Sequence, residues 1–412
     1  MTVTILRNCS VLDTERLALI KGAEILIDGE RIAEVARKSI KAPPKSRVID
    51  CGGGTVMPGL IDAHVHVTAF TARLAALETT MASLVTASAK PILEGMLARG
   101  FTSVRDAGGA DQGLAQAVEQ GLFDGPRIFH AGRALSQTGG HADFRALTQM
   151  VEPCVCCALL GGALGRIADG VSEVRRAVRD EVRKGASQIK IMASGGVASP
   201  TDPIAFTQYS LEEMRAIVEE AEAAQTYVMA HAYTARAIRR AVECGVRTIE
   251  HGNLIDKATA QLMAKKGVFL VPTLSTYDAL HRFGRKAGFP EDSMRKLEVV
   301  RGQGLEALKI ARAAGVRMGY GTDLLGEMHV FQADEFTLRA QAVPAAEVIQ
   351  SATLINAEIL LRKDDLGVVK SGALADLIVV DGNPLDDVTL LQGQGKHMSI
   401  IMKGGKLFKN RR

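Results

Sequence analysis

Four histidines, a lysine and an aspartate stand in this chain where their types could do hydrolytic metal chemistry. His64 and His66 lie two apart in GLIDAHVHV, Lys190 is in QIKIMAS, His231 is in YVMAHA, His251 is in RTIEHG, and Asp323 ends YGTD. Taken singly, each has an ordinary explanation: a histidine hydrogen-bonded in a core, a lysine with a buried stem, an aspartate capping a helix. Together they would be several unpaired polar groups in an apolar interior, each costing on the order of a few kcal/mol. A bound cation removes that penalty, because imidazole and carboxylate are natural ligands of divalent ions. Six inward groups exceed what one tetrahedral zinc needs, so the set points to two ions. An ammonium has no lone pair to give. Converted by CO₂ to a carbamate, Lys190 offers two oxygens that can bridge two ions, a modification that leaves no mark in a sequence.

The elements that must position these residues are strands. Apolar runs at 55–67, 102–106, 127–130, 188–193, 227–232, 247–251, 268–274 and 317–321 read as buried strands. Between them lie amphipathic stretches such as LEEMRAIVEEAEAA, ARAIRRAVECG and KATAQLMAKKG, several ending at glycine as a helix stop should. Eight such repeats predict a (β/α)8 TIM barrel, with an open doubly wound sheet as the alternative. The histidines, Lys190 and Asp323 then come to the carboxyl ends of barrel strands, where barrel enzymes keep their chemistry. Positions i and i+2 of a strand share a face, so His64 and His66 point inward together. Segments at both chain ends, ILRNCSVLD, AEILIDGERIAEV, ALADLIVVDGNP and MSIIMKGGKLF among them, alternate apolar and polar residues between Asp-Gly and Gly-Gly turns. They predict one small β-sandwich domain assembled from 1–55 and 365–412, with the catalytic barrel at 56–364 between them. The irregular stretch 135–170 is long for a βα connection and reads as a lid or cover.

Composition narrows the class. The chain has 412 residues, 47% hydrophobic and 23% charged, with a net charge of +4. That excludes wholesale disorder and, with no dense basic run, argues against a nucleic-acid binder. Cys9, Cys51, Cys154, Cys156, Cys157 and Cys244 lack zinc-finger spacing and read as free thiols of a reducing, cytoplasmic compartment. The start, MTVTILRNCSVLD, does not read as a signal peptide, and no run is long enough to span a bilayer.

The motifs HxH in GLIDAHVHV, Lys190, His231, His251 and the GTD of Asp323 resemble the amidohydrolase superfamily over nearly the full length. Within it, SQTGGHADF, KIMASGGVASPTD, HAYTARAIRRAVECGVRTIEHG and VPTLSTY most resemble the imidazolonepropionase-like branch that holds zinc-dependent prolidases and Xaa-Arg/Lys dipeptide carboxypeptidases. The resemblance implies that His64, His66 and Asp323 bind one divalent ion and His231 and His251 a second, both zinc, with carboxylated Lys190 bridging them. It implies a hydroxide between the ions as nucleophile, with Asp323 passing a proton to the leaving amine. It also implies a small-molecule or dipeptide substrate and a homo-oligomer. ILLRKDDLG departs from the family pattern by its charge, and the cysteine cluster at 154–157 is foreign to it.

Three further residues are candidates for substrate contact. His141, in the glycine-rich GGHAD, could stabilise an oxyanion. Tyr233, two past His231, should face the same cavity. Arg236, one turn later, could pair with a carboxylate, though its position reads first as an exposed helix residue. Asp143 reads as a turn cap. The expected function is a binuclear amidohydrolase that cleaves dipeptides or N-acyl amino acids with a free C-terminal carboxylate, Xaa-Pro favoured. A mononuclear deaminase or cyclic-amide hydrolase is the alternative, but HAYTAR lacks the glutamate deaminases place there. A lactonase or phosphoesterase could use the same ions. A non-catalytic scaffold would have shed ligands that this chain keeps.

Overall fold

The computed structural model describes residues 3–37, 39–145, 148, 163–199 and 202–412. On the N-terminal side lie β1 (Thr4–Asp13), β2 (Ala18–Asp28), β3 (Arg31–Ala36), β4 (Arg47–Asp50) and β5 (Thr55–Pro58). Their alternation is visible in β2, where Ala23, Ile25 and Ile27 are buried and their neighbours less so. Gly29 and Glu30 make the turn into β3, with Gly29 at a φ of +60° that glycine adopts without penalty.

The middle of the chain supplies β6 (Leu60–Val65), β7 (Phe101–Asp106), β8 (Arg127–His130), β9 (Ala134–Ser136), β10 (Gly165–Ile167), β11 (Ile189–Met192), β12 (Val228–Thr234), β13 (Thr248–Leu254) and β14 (Phe269–Val271). They form two parallel sheets, β6-β7-β8 and β10-β9-β11-β12-β13-β14. Hydrogen bonds also tie these sheets to the segment before β11 and to the segment 317–321. Ser187 N donates to His130 O at 2.8 Å, Leu270 N to Arg317 O at 3.0 Å, and Ala63 N to Tyr320 O at 2.8 Å. Strands such as β11, buried at every position, read as continuous apolar runs because helices cover a parallel sheet. The helix Leu211–Ala223 opens with a capping box between Ser210 and Glu213, Ala235–Glu243 is capped by Thr234, and Lys257–Lys266 stops at Gly267, whose φ is +69°.

The C-terminal strands β15 (Leu377–Val380), β16 (Met398–Lys403) and β17 (Lys406–Asn410) return to the first sheet. The order is β17-β16-β15-β5-β1-β2-β3, with β4 also on β1. Leu6, Val11, Ile25, Val56, Leu377 and Ile400 share its core. The architecture is an α/β fold on parallel sheets, with a sheet joined from both ends of the chain.

Three expectations about strands need correction. The run 55–67 is two strands in different sheets, broken at Gly59, where a Cβ would sit 2.2 Å from Thr102 Oγ1. The run 268–274 is strand only over β14, because a helix begins at Leu274. The segment 317–321 pairs through a single parallel bridge, Leu270 to Met318. The ends of the expected cover at 135–170 form β9 and β10, but Cys154, Cys156 and Cys157 lie outside the described residues. Cys9, Cys51 and Cys244 are free and buried. Among the described residues no helix is long and apolar enough to cross a membrane.

Candidate metal centre and active site

At the carboxyl ends of the parallel strands lies a cavity of about 60 Å³, lined by His64, His66, His141, Lys190, His231, His251 and Asp323. All six residues expected as metal ligands therefore reach one space. Three of them, His64, His251 and Asp323, offer ligand atoms within 4.8 Å of one another. Asp323 Oδ1 lies 3.6 Å from His64 Nε2 and 3.3 Å from His66 Nε2. Lys190 sits one layer deeper: it pairs with Met229, whereas the next inward residue on its strand, Met192, pairs with His231.

Two of these side chains stand on unusual backbone. His251 has φ +72° and Asp323 φ +53°, a left-handed region uncommon outside glycine and found at functional sites. At His251 the consequence is visible. Strict alternation would put Glu250 and His251 on opposite faces, yet Glu250 contacts His64 inside the sheet and His251 lines the cavity.

Electrostatics fit the residues to cations. Burial pushes His64 and His231 well below the usual imidazole range and His251 down to about 3, so these rings are neutral and have a lone pair to give. Burial also acts on His66, but Asp323 outweighs it and the net shift is upward. Burial opposes ionisation of Asp323, yet the imidazoles of His64 and His66 hold its carboxyl well below the usual range. Burial brings Lys190 down to about 8. The outer nitrogens are already used: His64 Nδ1 on Glu250 at 2.7 Å, His66 Nδ1 on Gly108 O at 2.8 Å, and His251 Nδ1 on Thr273 Oγ1 at 2.8 Å. Each bond fixes a ring with Nε2 left for the cavity, the arrangement that metal-binding histidines show.

The supporting layer was missed in the sequence. Glu250 is fully buried and paired with Arg105 at 2.9 Å, and Arg105 Nε donates to Ala63 O at 2.6 Å. A carboxylate beside a strand-end histidine in RTIEHG was the available signal, but alternation argued against it.

The substrate-contact candidates separate. His141 lines the cavity and stacks on His231, with ring centroids 4.2 Å apart. Tyr233, expected to face the cavity, is not among its lining residues; it is buried behind them against His231 and His251, and its hydroxyl accepts from Tyr277 at 3.1 Å. Arg236 stands exposed on the first turn of Ala235–Glu243 and does not line the cavity. Asp143 accepts from Gly139 N and binds Arg145, as a turn cap does.

Buried histidines, a lysine and an aspartate meet in one small cavity, and the likeness to known proteins makes the chain a hydrolase acting on carbon–nitrogen bonds. The chain belongs to the amidohydrolase family, whose model matches residues 55–407. It is 56% identical, over the whole of both chains and with a TM-score of 0.97, to a prolidase crystallised with N-methylphosphonate-L-proline. A Xaa-Pro dipeptidase with bound methionine is 30% identical at a TM-score of 0.89, covering 99% of this chain and 100% of that one. The ochratoxinase of Aspergillus niger is 32% identical over 98% of this chain and 83% of its own length.

Proposed function

We propose that this protein is a binuclear metal-dependent amidohydrolase that cleaves dipeptides and N-acyl amino acids bearing a free C-terminal carboxylate, Xaa-Pro favoured. The observation that carries the reading is the convergence of the six expected ligands on one cavity, with the outer nitrogens of His64, His66 and His251 already bonded. The prolidase likeness supports the proline preference. In this reading the parallel sheets and the segment 317–321 close as a (β/α)8 barrel over 56–364, and 1–55 with 365–412 form the small β-sandwich domain.

His64, His66 and Asp323 would hold one ion, His231 and His251 the other, and Lys190, as a carbamate, both. Its lowered pKa supports the modification, since CO₂ adds to a neutral amine. Zinc suits the imidazole-rich set. Two such ions supply Lewis-acid polarisation of the scissile carbonyl and water acidified enough to ionise near neutral pH. Asp323 takes the proton of the attacking water and delivers it to the amide nitrogen as the C–N bond breaks. His141 would donate from Nε2 to the oxygen that gains charge, with its Nδ1 3.2 Å from Asp202 Oδ2. Tyr233 accepts a hydrogen bond from Tyr277, which leaves its own proton for a substrate oxygen.

Metal analysis is expected to give about two equivalents per chain, with a sharp loss in Lys190→Ala. A single equivalent indifferent to that substitution would point to a mononuclear deaminase. Xaa-Pro dipeptides and acylprolines should be cleaved far faster than their amidated forms; equal rates would remove the carboxylate requirement.

A further inference from the structure

The loop after β11 carries an arrangement that the metal chemistry leaves unexplained. Lys296, on the helix Glu291–Arg301, reaches across to it and donates to three backbone carbonyls: Gly196 O at 3.1 Å, Ser199 O at 2.8 Å and Asp202 O at 2.9 Å. An ammonium has three N–H donors, and each finds a carbonyl of this one loop. The charge thereby tethers the carbonyls of Gly196, Ser199 and Asp202 to the helix.

What the loop holds in turn is His141. His141 Nδ1 lies 2.6 Å from Ser199 Oγ and 3.2 Å from Asp202 Oδ2. The Ser199 hydroxyl donates to Asp202, so its proton is committed and it can only accept from the ring. The His141 backbone N–H donates to Gln208 Oε1 at 2.9 Å, and Gln208 Nε2 donates to Asp202 Oδ2 at 3.1 Å. Gly196 lies directly against the ring: a Cβ there would fall 1.9 Å from His141 Cε1. The ring is thereby fixed in position and tilt, stacked on His231.

The geometry points to Lys296 and Asp202 as positioning residues for the reaction: Lys296 shapes the loop 195–199, the loop and Asp202 orient His141, and His141 alone meets the substrate. This rests on the reading of His141 as a substrate contact. A ring displaced by about 1 Å can lose on the order of a hundredfold in rate, so a lysine remote from the chemistry acquires a catalytic effect.

The test is a cycle of Lys296→Met, His141→Ala and the double variant in metal-replete enzyme, assayed on a Xaa-Pro dipeptide, with hydrogen exchange of the 193–208 peptide measured on metal-free protein. Lys296→Met is expected to lower kcat about tenfold to a hundredfold, with KM and metal content little changed. It should speed exchange in that peptide alone and cost nothing further in the His141→Ala background. If Lys296→Met is poorly folded, Asp202→Asn takes its place in the same cycle. Full activity in the lysine variant, or losses that multiply in the double variant, would overturn the positioning role while His141 keeps its own. An unimpaired His141→Ala would instead sink the substrate-contact reading, and the positioning role with it.

Discussion

At the scale of single residues, the site is decided by what lies behind the ligands. Glu250 accepts from His64 Nδ1 and is itself anchored by Arg105 with no access to water. An unpaired buried carboxylate there would cost several kcal/mol, so the pair exists only as a unit. It sets His64's tautomer and keeps the ring from rotating. Glu250→Gln retains the shape and removes the charge. It should weaken metal retention about tenfold to a hundredfold, read as metal left after dialysis against graded chelator. Native retention in that variant would mean that Glu250 serves the fold and not the ion.

At the scale of elements, helix ends are completed by partners distant in the chain. The helix Leu274–Phe283 receives no side-chain cap from Thr273. Its Ser275 N donates instead to Glu335 Oε2 at 2.6 Å, sixty residues on. Burial drives the Glu335 carboxyl up to about 8 despite that bond, and Oε1 has no partner, as fits a neutral acid. The folded state therefore binds a proton that the unfolded chain has released, from the ordinary carboxylate range up to about pH 8. Stability from this group is present at low pH and is lost as pH rises through that window. Glu335→Gln cannot ionise. Its stability relative to the native protein should improve by roughly a few kcal/mol between pH 5 and pH 9, measured by urea unfolding at both. A difference independent of pH would show that the carboxyl ionises freely in the native state.

At the scale of the whole molecule, the two ends of the chain hold each other. β15 pairs with β5 from Leu377–Pro58 to Val380–Thr55, and β5 leads through Gly59 into β6, which carries His64. Removing residues 377–412 strips one flank of β5 and opens the core shared by Leu6, Val56, Leu377 and Ile400. The truncated chain should lose cooperative unfolding and metal together, seen by calorimetry and metal analysis. A truncated protein that still melts in one transition with its metal would make the terminal sheet dispensable.

The sequence by itself pointed to the secondary elements with strong periodicity, the join of the two ends and the polar residues that line the cavity. Those depend on local pattern: period-two alternation, apolar runs, and polar types at strand ends. It did not determine that 55–67 breaks at Gly59, that Glu250 and His251 both face inward, or that Arg236 stays outside. Nor did it disclose that Asp202, Gln208 and Lys296 meet around His141. Those outcomes depend on a left-handed backbone angle, on a close approach to Thr102 and on contacts between residues about a hundred positions apart, and only packing in three dimensions brings such groups within reach of one another.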